Sequence, residues 1–211
     1  MRNKEKTEWI ALILGWFAIL AQFVLIIQNR QSDIPETILR FFSFFTILTN
    51  FLLALFFTAQ IVGQPKFPLK WFFKGGTITA LTSFILIVGL VYQIALRPLW
   101  APTGLQWLVD ELLHTLIPLL MLAYWFFQVR ARDVKASSVF KWLIYPILYA
   151  VFILIRGHFS GFYPYPFLNV REIGYLKTML NMGGVASMTL VIMAALVLLG
   201  KRKTKELRTE N

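Results

Sequence analysis

The chain has 211 residues, 58% hydrophobic, 16% aromatic and only 15% charged, with a mean hydropathy of +0.66. A soluble domain carries about 25% charged residues, so the composition specifies an integral membrane protein. Cysteine is absent and histidine occurs twice, which excludes disulfides, thiolate metal sites, cysteine nucleophiles and a three-histidine zinc site.

A leader with Arg2, Lys4 and Lys6 precedes the first span, at about 9–28. That run has the ~20-residue spanning length and no small-x-small cleavage site, so it is expected to be retained. The loop that follows puts Pro35 just ahead of the second span, at about 37–62, where proline is tolerated. In that span Arg40, Ser43, Thr46 (or Ile47) and Asn50 recur at helical spacing and form one polar stripe. A loop with Lys66, Lys70 and Trp71 leads to the third span, at about 74–96, with Thr77, Thr79, Thr82, Ser83 and Gln93.

The fourth span, at about 107–128, carries Asp110, Glu111 and His114 in its first turns. A charged side chain at the bilayer centre costs about 2.5–3.5 kcal/mol on insertion scales and rarely persists without a partner or a task. Asp110 and His114 are four residues apart, which stacks them on one helix face. There a carboxylate can fix the tautomer of an imidazole. A basic loop with Arg130, Arg132 and Lys135 leads to the fifth span, at about 139–156, which runs into Gly157 and His158. The aromatics and prolines between Ser160 and Gly174 predict an interfacial segment, with Tyr163 and Tyr165 as interface anchors. The sixth span, at about 175–200, holds Asn181, Gly183, Gly184 and Ser187, small residues suited to close helix contact. A polar, basic tail occupies 201–211.

The expected architecture is one all-α domain of six transmembrane helices. Most of the 21 Lys and Arg fall in the N-terminus, the second loop, the fourth loop and the tail. Arg30, Arg40, Arg97, Arg156, Arg171 and Lys177 fall on the opposite side. The positive-inside bias therefore places both termini in the cytoplasm. The net charge of +11 is an orientation signal, and nucleic acid is not an expected partner.

With that topology, Thr46 lies about 14 Å and His114 about 11 Å along helices that both begin on the outer side. Arg40, Asp110, Glu111, Arg156, His158, Arg171 and Asn181 also fall in the outer half. The expectation is a polar pocket opening outward, capped by the aromatic segment from Tyr163 to Phe167. Each member has a plain structural role as well. A membrane threonine bonds its own i−4 carbonyl, carboxylates favour helix N-termini, and arginines near span ends snorkel.

Three short motifs resemble the androgen-induced family of six-span membrane proteins, described as transmembrane threonine hydrolases that cleave fatty acid esters of hydroxy fatty acids. They are Phe44-Phe45-Thr46 in the second span, His114-Thr115-Leu116-Ile117-Pro118 in the fourth, and Ser160-Gly161 followed by Tyr165-Pro166-Phe167-Leu168 before the last. Their order and the six-span plan agree over nearly the whole chain. The family often has Asp or Asn three residues after its threonine. Here that position is Thr49, and Asn50 follows.

The resemblance implies catalysis by Thr46 and His114 on a lipid or fatty-acyl ester, without cofactor or metal. A threonine hydroxyl needs a neighbouring base to become a nucleophile. His114, oriented by Asp110, could take that proton and return it to the leaving alkoxide. Asn50, Asn181 and Arg156 are the candidate oxyanion donors. Arg40, Ser43, Glu111, His158 and Tyr165 are the candidate pocket residues. Two other classes stay open. One is a lipid- or small-molecule-binding membrane protein without covalent chemistry. The other is a metal-assisted hydrolase built from His114, His158, Asp110 and Glu111, although no His-x-x-x-His spacing exists.

Overall fold

The computed structural model describes residues 3–63 and 67–209, with side chains through 206. Arg2, Lys66 and the last residues of the basic tail lie outside the described residues. Among the described residues, six helices are long and apolar enough to cross a membrane. The architecture is all-α. Because six is an even number, both ends of the chain reach one face of the bundle. Glu8, Thr79, Tyr124 and Trp125 meet there, with Tyr124 Oη donating to Glu8 Oε1 at 2.5 Å and Trp125 Nε1 to Thr79 Oγ1 at 2.9 Å. We call this the terminal face and the opposite one the distal face.

Span 1 is helix α1, Asn3–Gln28. It begins earlier than the hydrophobic run because its polar first turns have partners. Lys4 pairs with Glu8 at 3.4 Å, and Glu8 is buried against Tyr124. Span 2 is divided into α2, Ile34–Phe41, and α3, Phe45–Val62. Asp33 caps α2 by accepting from the Glu36 amide at 2.8 Å, with Pro35 in the first turn. Span 3 is α4, Thr77–Val91, which runs on through a wide π turn, Tyr92–Leu96. Span 4 joins α5, Gly104–Glu111, to α6, Ile117–Gln128, through a second π turn, Leu112–Leu116.

Span 5 comprises α7, Ala136–Phe140, a short 3₁₀ turn and α8, Ile144–Ser160. Span 6 is α9, Val170–Thr209, broken at Gly174, whose φ of 77° lies in the left-handed region. The tail continues this helix through the described residues rather than forming a separate polar extension.

The core lies among spans 1 to 4, where Ala18, Phe41, Leu53, Phe57, Leu81, Ile85 and Met121 are buried. Spans 5 and 6 stand at the edge of this core. Span 6 packs along span 3 toward the terminal face, where Met193, Leu196 and Val197 are buried. Span 5 meets the bundle largely through aromatic side chains, and a chamber remains between these two spans and spans 2 and 3.

Candidate active site

The polar stripe expected along span 2 presumes one continuous helix, and the helix is interrupted inside it. The amides of Ser43 and Phe44 bond carbonyls three residues back, at 3.0 and 3.4 Å, which ends α2. Phe44 then takes an extended conformation, with φ −81° and ψ 124°, and α3 begins at Phe45. Neither Gly nor Pro lies at the break. Tertiary bonds hold it instead. Tyr149 Oη on span 5 donates to the Ser43 carbonyl at 2.9 Å, and the Ser43 hydroxyl is turned to the Leu39 carbonyl at 2.6 Å. Ser43 is thus committed to the backbone, and Thr46 sits in the first turn of a half-helix deep in the membrane domain.

The first amides of any helix lack intrahelical partners and carry its positive dipole end. In α3 the Leu48 amide bonds the Phe44 carbonyl at 3.1 Å, so the amides of Phe45, Thr46 and Ile47 precede the first turn's closure. The phenol of Tyr165 meets them. The Thr46 amide donates to Tyr165 Oη at 3.3 Å, and Thr46 Oγ1 lies 3.4 Å from the same oxygen. Tyr165 is 8% exposed, so it is not the interface anchor its sequence context suggests. Burial pushes its phenol above the ordinary range, which keeps the O–H as a donor.

A clamp at the distal face sets Tyr165 in this position. Arg40 and Arg156 both bond Glu36 Oε1 at 2.8 Å, and both guanidinium groups stack on Phe162, at 4.7 and 4.9 Å from its centroid. The two arginines do not simply snorkel; they fasten the aromatic segment to α2 and α8. Gly157 admits the Tyr163 ring where any side chain would collide with it. Phe44 and Phe167 then hold Tyr165, the latter stacked at 5.2 Å.

His114 belongs to the π turn of span 4. Pro118 has no amide hydrogen, so carbonyls one turn earlier lose their usual donor. The Ile117 amide bonds the Leu112 carbonyl, five residues back, and the freed Leu113 carbonyl accepts from Asn50 Nδ2 at 3.4 Å. Asn50 Nδ2 also donates to the Thr46 carbonyl at 2.9 Å. Gly89 makes the close approach of span 3 possible, since a Cβ there would lie 2.9 Å from the His114 carbonyl oxygen.

Asp110 and His114 do meet. His114 Nδ1 lies 2.9 Å from the Asp110 carbonyl and 3.3 Å from its Oδ1. A carbonyl only accepts, so Nδ1 carries the proton and Nε2 presents its lone pair. Tyr92 donates to Asp110 Oδ2 and stacks face to face on the imidazole, with centroids 4.0 Å apart. Sequence reasoning did not single out Tyr92. An isolated aromatic near a span end carries no signal of its partner.

Thr46 heads a chamber of about 450 Å³ whose walls include Val88, Val91, Tyr149, Ile153, Tyr165 and Met182. It is largely apolar, which corrects the expected polar pocket. The reason is pairing: Arg40 and Arg156 are drawn to Glu36, and Arg97 to Glu111, and hydrocarbon is left to line the space. Glu111 bonds Arg97 and Thr115 on the span 3–span 4 side. Asn181 donates to the Phe167 carbonyl at 3.0 Å, and Arg156 is engaged by Glu36. Asn50 commits both amide hydrogens to carbonyls, so of the three expected oxyanion groups it has no donor to spare, while Asn181 and Arg156 are each engaged with a protein acceptor. His158 is exposed at the end of α8, with its carbonyl accepting from Arg171, and is on a different element from His114. Among the described residues no three His, Cys, Asp or Glu gather into a metal-holding group. No hydrogen bond joins Thr46 to His114 among the described residues; Asn50 links their turns instead.

No protein-family model, curated protein or solved structure matches the chain.

Proposed function

We propose that this protein is an intramembrane hydrolase of long-chain acyl esters, of the kind found in the androgen-induced family, with Thr46 as nucleophile and His114 as base. One observation carries the reading: a threonine hydroxyl stands beside a phenol donor and the open end of a half-helix, at the head of an apolar chamber. The chamber volume lies within the range of small-ligand sites, roughly 300–1,000 Å³. Broken membrane helices elsewhere direct their half-helix N-termini at anionic groups.

In the proposed reaction Thr46 Oγ1 attacks the ester carbonyl carbon while its proton passes to His114 Nε2. Asn50, whose amide donates to carbonyls in both turns, holds them together for this transfer. The Tyr165 O–H and the amides at the start of α3 donate to the developing oxyanion. The ester C–O bond to the alcohol then breaks, and His114 returns the proton to the alkoxide. Water hydrolyses the acyl-threonine by the reverse sequence. We further place the terminal face in the cytoplasm and the protein in the cell membrane, from the Lys and Arg bias.

A second reading is favoured by the lack of a direct Thr46–His114 hydrogen bond among the described residues: an acyl-binding protein that does no covalent chemistry. A fluorophosphonate activity probe separates the two. Labelling of Thr46 in the purified wild type, lost in Thr46→Ala and His114→Ala, supports the hydrolase. Folded wild type that neither labels nor turns over ester lipids leaves the binding reading.

A further inference from the structure

The wall of the chamber is uneven. Toward spans 2 and 3 it is closed by buried side chains, including Ile87 and Val88. Between spans 5 and 6 it is open. Ile147 on span 5 and Leu190 on span 6 line the chamber and are also 56% and 43% exposed. Gly183 and Ala186 line it and are exposed too. The sequence suggested close helix contact at Gly183 and Gly184, yet a Cβ built on either would meet nothing within 4 Å.

Span 5 is held away from span 6 by its own partners. Tyr145 Oη bonds Thr49 Oγ1 at 2.9 Å and Tyr149 bonds the Ser43 carbonyl, so the aromatic face of α8 turns toward span 2. The resulting window lies midway through the domain. Ala186 is about 18 Å along the helix from the kink at Gly174, inside a hydrocarbon layer about 30 Å thick. At that depth the medium outside the window consists of acyl chains.

We propose that the substrate's hydrocarbon chain passes sideways from the bilayer through this window, and that Gly183 and Ala186 set the bulk admitted. The chain lies along Ile147 and Leu190, with the reacting carbonyl carried toward Thr46. The identity of the reacting group rests on the hydrolase reading, whereas the window is testable without it. The occupant is a flexible, unbranched alkyl tail of a membrane-dissolved molecule. Its polar end remains toward Tyr165 and the distal clamp.

The absence of cysteine makes an introduced thiol unique. Ala186→Cys marks the window. Leu148→Cys, on the exposed face of α8 and outside the chamber lining, serves as control. Each full-length variant is treated, after purification in detergent, with benzyl methanethiosulfonate. It is then exposed to hexadecyl and ethyl fluorophosphonates and, separately, to a diazirine-bearing palmitic acid.

Modified Ala186→Cys is expected to lose at least tenfold in hexadecyl labelling and in photo-crosslinking. Ethyl labelling stays within twofold, and dithiothreitol restores the long-chain signals. Modified Leu148→Cys stays like wild type. Long-chain labelling and crosslinking that survive modification of Ala186→Cys overturn the window, as does a co-purified acyl chain that never exchanges with the probe. If neither fluorophosphonate reacts with unmodified protein, the hydrolase reading fails, and the crosslinking arm alone decides the window.

Discussion

The side-chain amide of Asn50, in the half-helix that begins beside Thr46, donates across to the carbonyl of Leu113 in span 4, 3.4 Å away. That carbonyl is free because of Pro118, and the bond fixes the turn bearing His114 to the turn bearing Thr46. Asn50→Leu fills similar space but leaves a buried carbonyl without a partner. The expected loss of stability is about 1–2 kcal/mol, read as a lower melting temperature in detergent. Thr46 labelling by fluorophosphonate falls with it. Unchanged melting and labelling would show that the two turns are held by packing alone.

Tyr165 separates its structural role from its chemical one. Tyr165→Phe keeps the ring against Phe44 and Phe167 and removes the oxygen facing Thr46. The proposed oxyanion role predicts a drop of about a hundredfold to a thousandfold in acylation rate, with little change in acyl-probe binding. Equal loss of binding and rate would assign Tyr165 to packing.

For His114, the Nδ1–H···O=C bond to Asp110 leaves Nε2 as the base. His114→Ala is expected to slow ester turnover by about 10²–10⁴-fold. Because the alanine variant removes an imidazole stacked on Tyr92, added imidazole should recover part of the rate. Full activity in His114→Ala would dismiss His114 as the base while leaving Thr46 to be judged by its own variant.

Gly89→Leu forces a Cβ to within 2.9 Å of the His114 backbone oxygen. Overpacking of this kind costs about 1–3 kcal/mol. The predicted signature is a lower melting temperature and reduced activity together, since spans 3 and 4 can separate only by moving His114. Circular dichroism melts beside turnover measurements provide the check.

The distal clamp has a pH signature. Arg40, and with it Arg156, hold the Glu36 carboxyl below the ordinary carboxylate range, against a smaller opposing effect of burial. A depressed folded value means that the contribution is fully present above the unfolded value, about 4.3. It is lost as pH falls through the folded value. Acidification should therefore loosen the aromatic segment, making it more accessible to proteases in wild type. Glu36→Gln should show that accessibility already at neutral pH.

Much of the architecture was legible in the residues. Hydrophobic run lengths located six spans, and their even number brought both ends to one face. The four-residue spacing of Asp110 and His114 placed them in contact, because helical geometry alone makes i and i+4 neighbours. These are local properties, set by composition and by the 3.6-residue turn.

The features that make a site were decided by distance. The break in span 2 has no Gly or Pro to announce it and depends on Tyr149, 106 residues away from Ser43. Tyr165 leaves the interface for a buried place beside Thr46, 119 residues earlier in the chain, because two arginines share one carboxylate on the distal face. Such pairing also explains why the chamber is apolar: charges that find one another in three dimensions are removed from the cavity wall. Sequence spacing determined which polar residues share a helix face, as Asp110 and His114 do. Only the tertiary structure decided which of them remain free, because hydrogen-bond and ion-pair partners on separate helices leave no periodic trace in the chain.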